Sequence, residues 1–185
     1  MARQFGPYGM IPLDSFSSSL SRSSVSIDIK PSGQAKSDIV CVSGTISATT
    51  DGKVIYARLG DGTTAANHRA AYWSPYNTSQ YNFNSNYFRL SRYSTGNSGA
   101  TTSVNGERVN FIVWIVTNES TSAPIVNNMV YAWMAPDYYS TSFHVLNTWA
   151  VARVITASRS DEINFFYSGS SITACNLKSW GLAGD

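Results

Sequence analysis

The residues with most to offer chemically lie in one stretch. Tyr72, Trp73, Tyr76, Tyr81, Phe83, Tyr87, Phe88 and Tyr93 are interleaved with Asn77, Gln80, Asn82, Asn84 and Asn86. Aromatic faces stack on the C–H surfaces of sugars, and carboxamides supply paired donors and acceptors for hydroxyls. The same mixture suits protein contact, because Tyr and Trp bring area and a polar tip with little entropy to lose. Tyr72, Trp73, Tyr76, Tyr81, Phe83 and Tyr87 are therefore candidate binding residues, for subunit assembly or for a glycan. Core and loop packing is the third use that such a stretch can have.

Elsewhere the side chains that usually carry catalysis are scattered. His68 and His144 have no second His and no Cys at ligand spacing, so the pattern predicts no metal site. Most carboxylates fall at turns or strand ends, where Asp is favoured structurally. Only Asp161 and Glu162 are adjacent, and neighbours on a strand point to opposite faces, which suits no glycosidase pair. There is no Gly-x-Ser-x-Gly elbow and no phosphate-binding Gly-x-x-x-x-Gly-Lys segment. Asp51-Gly52 and Asp61-Gly62 are too poor in further acidic ligands for calcium loops, and Lys53 to Arg58 between them reads as a strand. Cys41 and Cys175 are too far apart for a redox motif and read as buried free thiols. The expectation is a protein that is not an enzyme and uses no cofactor.

The charge balance narrows the partners. Lys and Arg number 13 against 11 Asp and Glu, and charged residues make up only 13% of the chain, where about a quarter is usual. The basic residues are scattered singly, so no stripe predicts nucleic acid as a partner. Solubility has to come from Ser, Thr and Asn, which can be buried at subunit contacts more cheaply than Lys or Glu. No run approaches the ~18 apolar residues of a membrane helix. Near the N-terminus, Gly6-Pro7 and Gly9 stand where a signal peptide needs an apolar core, so we expect a chain made in the cytoplasm and not inserted in a membrane.

The elements that must position these residues are strands. Residues 1 to 23 carry Phe5, Tyr8, Met10, Ile11, Leu13 and Phe16 with no helical or strand period, and read as an extended arm that docks through these apolar side chains. Such an arm would be removable without loss of the folded domain. From Ser24 the alternation of Val25, Ile27 and Ile29 with Ser26 and Asp28 marks a half-buried strand. Further strands are predicted near Ile39 to Ser47, Lys53 to Leu59, Arg108 to Thr117, Val126 to Met134, Glu162 to Tyr167 and Ile172 to Trp180. Phe143 to Thr156 forms one long strand or two short ones, with a helix over Asn147 to Ala157 as the alternative. Residues 63 to 102 form a polar, aromatic insertion with one short strand around Tyr87 to Tyr93. The pattern predicts an all-β domain over residues 24 to 185, an antiparallel two-sheet sandwich or jelly roll.

The C-terminal run looks like the ending of many small bacteriophage virion proteins. It has an apolar strand (Asp161 to Tyr167), a Ser168-Gly169 turn and a last strand into Trp180-Gly181-Leu182, where those proteins carry Tyr-Gly-Leu or Tyr-Gly-Ile. The early Asp51-Gly52 turn and the central strand pair from Val109 to Val130 extend the resemblance more loosely. It implies a jelly-roll module displayed on a virion, often as a homotrimer, with other virion proteins as partners. A tail fibre or tail-associated protein for host attachment is the first role that it implies, and a capsid decoration protein the second. A carbohydrate-binding sandwich contacting a host-surface glycan is a third, non-viral reading.

Overall fold

The computed structural model describes residues 9–30, 38–49, 53–60, 67–74, 77–85, 87–90, 109–119, 126–139, 143–145, 148–156 and 160–182. Among them there is no helix. Thirteen strands run in order: β1 (Met10–Ser18), β2 (Ser24–Asp28), β3 (Ile39–Ala48), β4 (Ile55–Leu59), β5 (Asn67–Ser74), β6 (Asn77–Ser85), β7 (Phe88–Arg89), β8 (Val109–Glu119), β9 (Val126–Tyr139), β10 (Phe143–Val145), β11 (Thr148–Thr156), β12 (Glu162–Tyr167) and β13 (Ile172–Leu182).

The strands form two sheets in which every pairing is antiparallel. The larger runs β1-β13-β3-β8-β9-β11-β5-β6, with β10 pairing β9 off this path, and the smaller runs β2-β12-β4-β7. This is the expected two-sheet sandwich. The chain changes sheets at every step from β1 to β5, into and out of β7, and into and out of β12, so the two layers are sewn together along the sequence.

The core lies between the layers and is made by strand alternation. Val25 and Ile27 of β2, Ala57 and Leu59 of β4, and Ile163 and Phe165 of β12 meet Val40, Val42 and Ile46 of β3, Phe111, Val113 and Ile115 of β8, and Val130 and Met134 of β9. Phe111 and Phe165 touch across the interlayer space, with ring centroids 4.9 Å apart. Burying side chains of this size contributes about 1.5–3 kcal/mol each. Polar cross-links reinforce the register. The Ser179 hydroxyl of β13 donates to the Asp28 carbonyl of β2 at 2.6 Å.

Close approach fixes one glycine. A Cβ on Gly44 of β3 would lie 2.4 Å from the Asn176 carbonyl oxygen and 2.7 Å from Leu177 Cδ2 of β13. At the other end of β13, Ser168-Gly169 makes the turn from β12, with Gly169 at φ 64°. That is a left-handed conformation which costs glycine nothing.

Two segments depart from the expectations drawn from the sequence. Residues 10–18 are not a free docking arm, because β1 pairs with β13 from Met10↔Leu182 to Ser18↔Cys175, with a bulge between Pro12 and Asp14. Leu13 and Phe16 pack against the protein's own core. The periodicity is hidden because β1 is an edge strand interrupted by proline and a bulge, which shifts which residues face inward. Phe5 and Tyr8 lie outside the described residues. The second departure is within 63–102, where β5 and β6 form a hairpin that extends the larger sheet through β11. The segment from Thr148 to Thr156 is strand β11 and not a helix, and β10 precedes it, so the two-strand form of that expectation is the one observed.

Candidate functional site

The inner face of β8, β9 and β11 fills the core, which leaves their alternate residues on the outer face of the larger sheet. On β8 these are Ile112, Trp114 and Val116, on β9 Met129, Tyr131 and Trp133, and on β11 Trp149, Val151 and Arg153. Register aligns them into rows. Trp180 of β13, Cys41 of β3, Trp114 and Tyr131 stand at one level, and Ile112, Trp133 and Trp149 at the next. Trp73 is the cross-strand partner of Trp149 on β5. Four of the five tryptophans thus share this face, and the fifth holds a register position beside them.

The rings are open to solvent to an unusual extent. Trp149 is 56% exposed, Tyr131 45% and Trp114 41%. Isolated apolar residues on a surface need no explanation, but a contiguous aromatic patch marks an interaction site. At its margin the Arg153 guanidinium donates twice to the Asn127 carboxamide oxygen, at 2.8 and 3.3 Å, which fixes the head group over the sheet. The two aromatic rows across β13, β3, β8, β9 and β11 contain no carboxylate, although Asp137 stands further along β9 at the same strand parity. Cys41 lies on this face yet is only 7% exposed, flanked at its own level by Trp180 and Trp114. Burial pushes its thiol up to about 11. Cys175 is also a free thiol, on the neighbouring strand but facing the core.

A second aromatic group stands on the outer face of the smaller sheet. Phe166 of β12 and Tyr56 of β4 are cross-strand partners with rings stacked at 5.5 Å, and Tyr87 sets its edge against both, at 4.8 and 5.6 Å. One level along the same face, Arg58 Nε donates to Asn164 Oδ1 at 3.1 Å, and Asn164 Nδ2 donates to Ser26 Oγ at 2.9 Å. The Arg58 guanidinium also lies 5.3 Å from the centre of the Phe166 ring, within cation–π range.

The chain matches no family model, no curated protein and no solved structure. Site assignment therefore rests on these surfaces. Of the residues proposed from sequence, Tyr87 sits in the smaller-sheet cluster. Tyr72 and Trp73 lie on β5, and Tyr81 and Phe83 on β6, at the far side of the larger sheet, while Tyr76 lies outside the described residues. The single stretch is thus divided between the two sheets. Trp114, Tyr131, Trp133 and Trp149, and likewise Tyr56, Arg58, Asn164 and Phe166, were not singled out by sequence reasoning. The signal that could have found the first group is β8 itself, whose segment Phe111 to Val116 is apolar on both faces.

Other grouped features carry less chemistry. Among the described residues no three of His, Cys, Asp and Glu gather as a metal site would require. Asp161 is paired with Lys30 Nζ at 3.0 Å, at the entry to β12. An open groove of about 600 Å³ lies where the chain leaves β1, lined by Ser17, Ser18, Arg22, Cys175 and Asn176 among others.

Proposed function

We propose that the protein is a non-enzymatic structural protein of a bacteriophage virion, a tail-fibre or tail-associated component. In this reading the outer face of the larger sheet joins copies of the chain into a symmetric oligomer, a trimer as the C-terminal resemblance implies. The observation that carries the assembly role is the exposed Trp114, Tyr131 and Trp149 in two cross-strand rows without a carboxylate. Interface cores are enriched in Trp, Tyr, Met and Arg and depleted of Asp, Glu and Lys. Trp, Tyr and Arg also dominate the few positions that hold most binding energy.

The dimensions suit such a contact. Eight strands spaced at about 4.8 Å, with strands of about nine residues, give a face on the order of 1,100 Å², enough for the ~800 Å² that one partner contributes to a standard interface. Flat apolar sheet faces pack against one another readily. The virion role is supported by the ending from Asp161 to Leu182, with its turn at Ser168-Gly169 and its Trp180-Gly181-Leu182 close.

Labelled antibody and electron microscopy on intact particles test the location. A few copies at the tail are expected. Many copies over the shell would replace the tail role with decoration, and absence from all particles would overturn the virion reading. Sedimentation equilibrium of the purified protein tests assembly separately, and a monomer at tens of micromolar would sink it.

A further inference from the structure

We propose that the outer face of the smaller sheet is a binding site for a short, uncharged oligosaccharide, read by Tyr56, Tyr87, Phe166 and Arg58, with the buried Asn164 holding Arg58 in position. This adds a host-contact surface to the tail reading above, and rests on that reading only for the source of the sugar.

The argument begins with the order of the side chains along the face. At one end Phe166, Tyr56 and Tyr87 hold one another in place by ring contacts of 4.8 to 5.6 Å, and Tyr87 remains 39% exposed. One strand level away, Arg58, Asn164 and Ser26 form an unbroken line of hydrogen bonds across β4, β12 and β2. An apolar platform with phenol hydroxyls lies directly beside the Arg58 guanidinium, which Ser26 and the buried Asn164 hold in place. A pyranose ring has the matching shape, with a C–H face for the platform and equatorial hydroxyls for the Arg58 guanidinium and the phenol hydroxyls. Both halves are fixed by contacts within the protein, so little ordering cost remains to be met on binding.

Charge and size choose the occupant. The outward positions on this sheet carry Arg58 and Arg89 against Asp28 and Glu162, a formal balance of zero, which gives no field for a polyanion. Strands of five, six, five and two residues cover on the order of 300 Å², well short of the ~800 Å² per partner of a protein contact. A few sugar rings fit that area. The site lies on the layer opposite the aromatic face of the larger sheet, so both surfaces can be occupied at once.

A glycan array of neutral and acidic oligosaccharides probed with the full chain, followed by calorimetry with the best neutral binder, tests the proposal. Binding to neutral oligosaccharides is expected, with at least tenfold weaker affinity for Tyr87→Ala and for Arg58→Ala, and unchanged affinity for Leu20→Ala, an exposed side chain between β1 and β2 that belongs to neither face. Chemical-shift mapping on the unaltered protein keeps the test open should a variant fail to fold, and the shifts should centre on Tyr56, Tyr87 and Asn164. Absence of neutral binding at millimolar concentration, binding confined to acidic glycans, or loss with Trp149→Ala but not with Tyr87→Ala would each overturn it. Sugar binding by a protein that is found on no particle would leave this site standing and remove the virion reading alone.

Discussion

Trp133 and Trp149 meet across adjacent strands with ring centroids 6.3 Å apart and planes tilted by 51°, both on the side of the larger sheet that faces away from the core. A cross-strand aromatic pair of this kind contributes roughly 0.2–1 kcal/mol to a sheet. That is too little to account for two tryptophans on solvent. Trp149→Ala should therefore cost less than about 1 kcal/mol in urea denaturation, yet weaken self-association at least tenfold in sedimentation velocity. Equal association by the variant would remove this face from the assembly contact.

Gly44→Ala should be more damaging than its size suggests. The new methyl group would meet a backbone carbonyl oxygen on β13, which cannot rotate out of the way. A loss of about 1–3 kcal/mol is expected from overpacking. The thermal midpoint is the readout, and a midpoint equal to that of the unaltered protein would show that β3 and β13 can separate without cost.

Asn128 is the buried polar residue on which three strands depend. It is 1% exposed, accepts from the Thr117 hydroxyl at 3.0 Å, and donates to the Val154 carbonyl at 3.3 Å and to the Thr156 hydroxyl at 3.2 Å. Asn128→Ala should cost at least about 1–3 kcal/mol, because it leaves buried partners without their hydrogen bonds. Adding Thr117→Val should recover part of that loss. A double variant whose cost is the plain sum of the two single ones would argue against the network.

The Cys41 thiol gives a pH signature. Its folded value of about 11 lies above the ordinary 9.0 because burial disfavours the thiolate. Between these values the unfolded chain releases its proton while the folded protein keeps it, so stability present below pH 9 declines as pH rises towards 11. Cys41→Val should flatten that decline in denaturation curves taken at successive pH values. Alkylation of Cys41 in the folded protein should likewise stay slow at pH 8, since the thiolate is the nucleophile.

Deleting residues 1–23 should now destabilise the domain, not merely detach it from a partner. The deletion removes β1, uncovers the core beside Leu13 and Phe16, and opens the edge of β13 along its whole length. Exposed strand edges recruit other chains. Light scattering and a lowered thermal midpoint are the expected readouts, and a monomeric truncated protein of unchanged midpoint would contradict the role assigned to β1.

Most of the sandwich was legible because alternation marks its half-buried strands. Val25, Ile27 and Ile29 announced β2, and Glu162 to Tyr167 announced β12. The hairpin of β5 and β6 was not, because Asn67 to Ser74 has no clean alternation and owes its extended form to pairing with β11, where context overrides propensity. Of the candidate sites, Tyr87 was readable from its aromatic neighbourhood. The outward tryptophans were not, because a strand apolar on both faces reads as one covered on both sides. Only the second layer, which covers a single face, shows which residues are left outside. Tyr56 and Phe166 are 110 residues apart in the chain, and register alone makes them neighbours.

Pro12 sits in the outermost strand of the larger sheet, opposite Trp180 and next to the bulge that ends at Asp14. A proline has no amide hydrogen to lend to a further strand, and a bulge twists the edge out of plane. On this side the sheet carries a built-in terminator against lateral polymerisation. In the proposed assembly, copies that meet would thereby be turned from end-to-end ribbons towards closed assemblies of countable size, stacked through their broad faces.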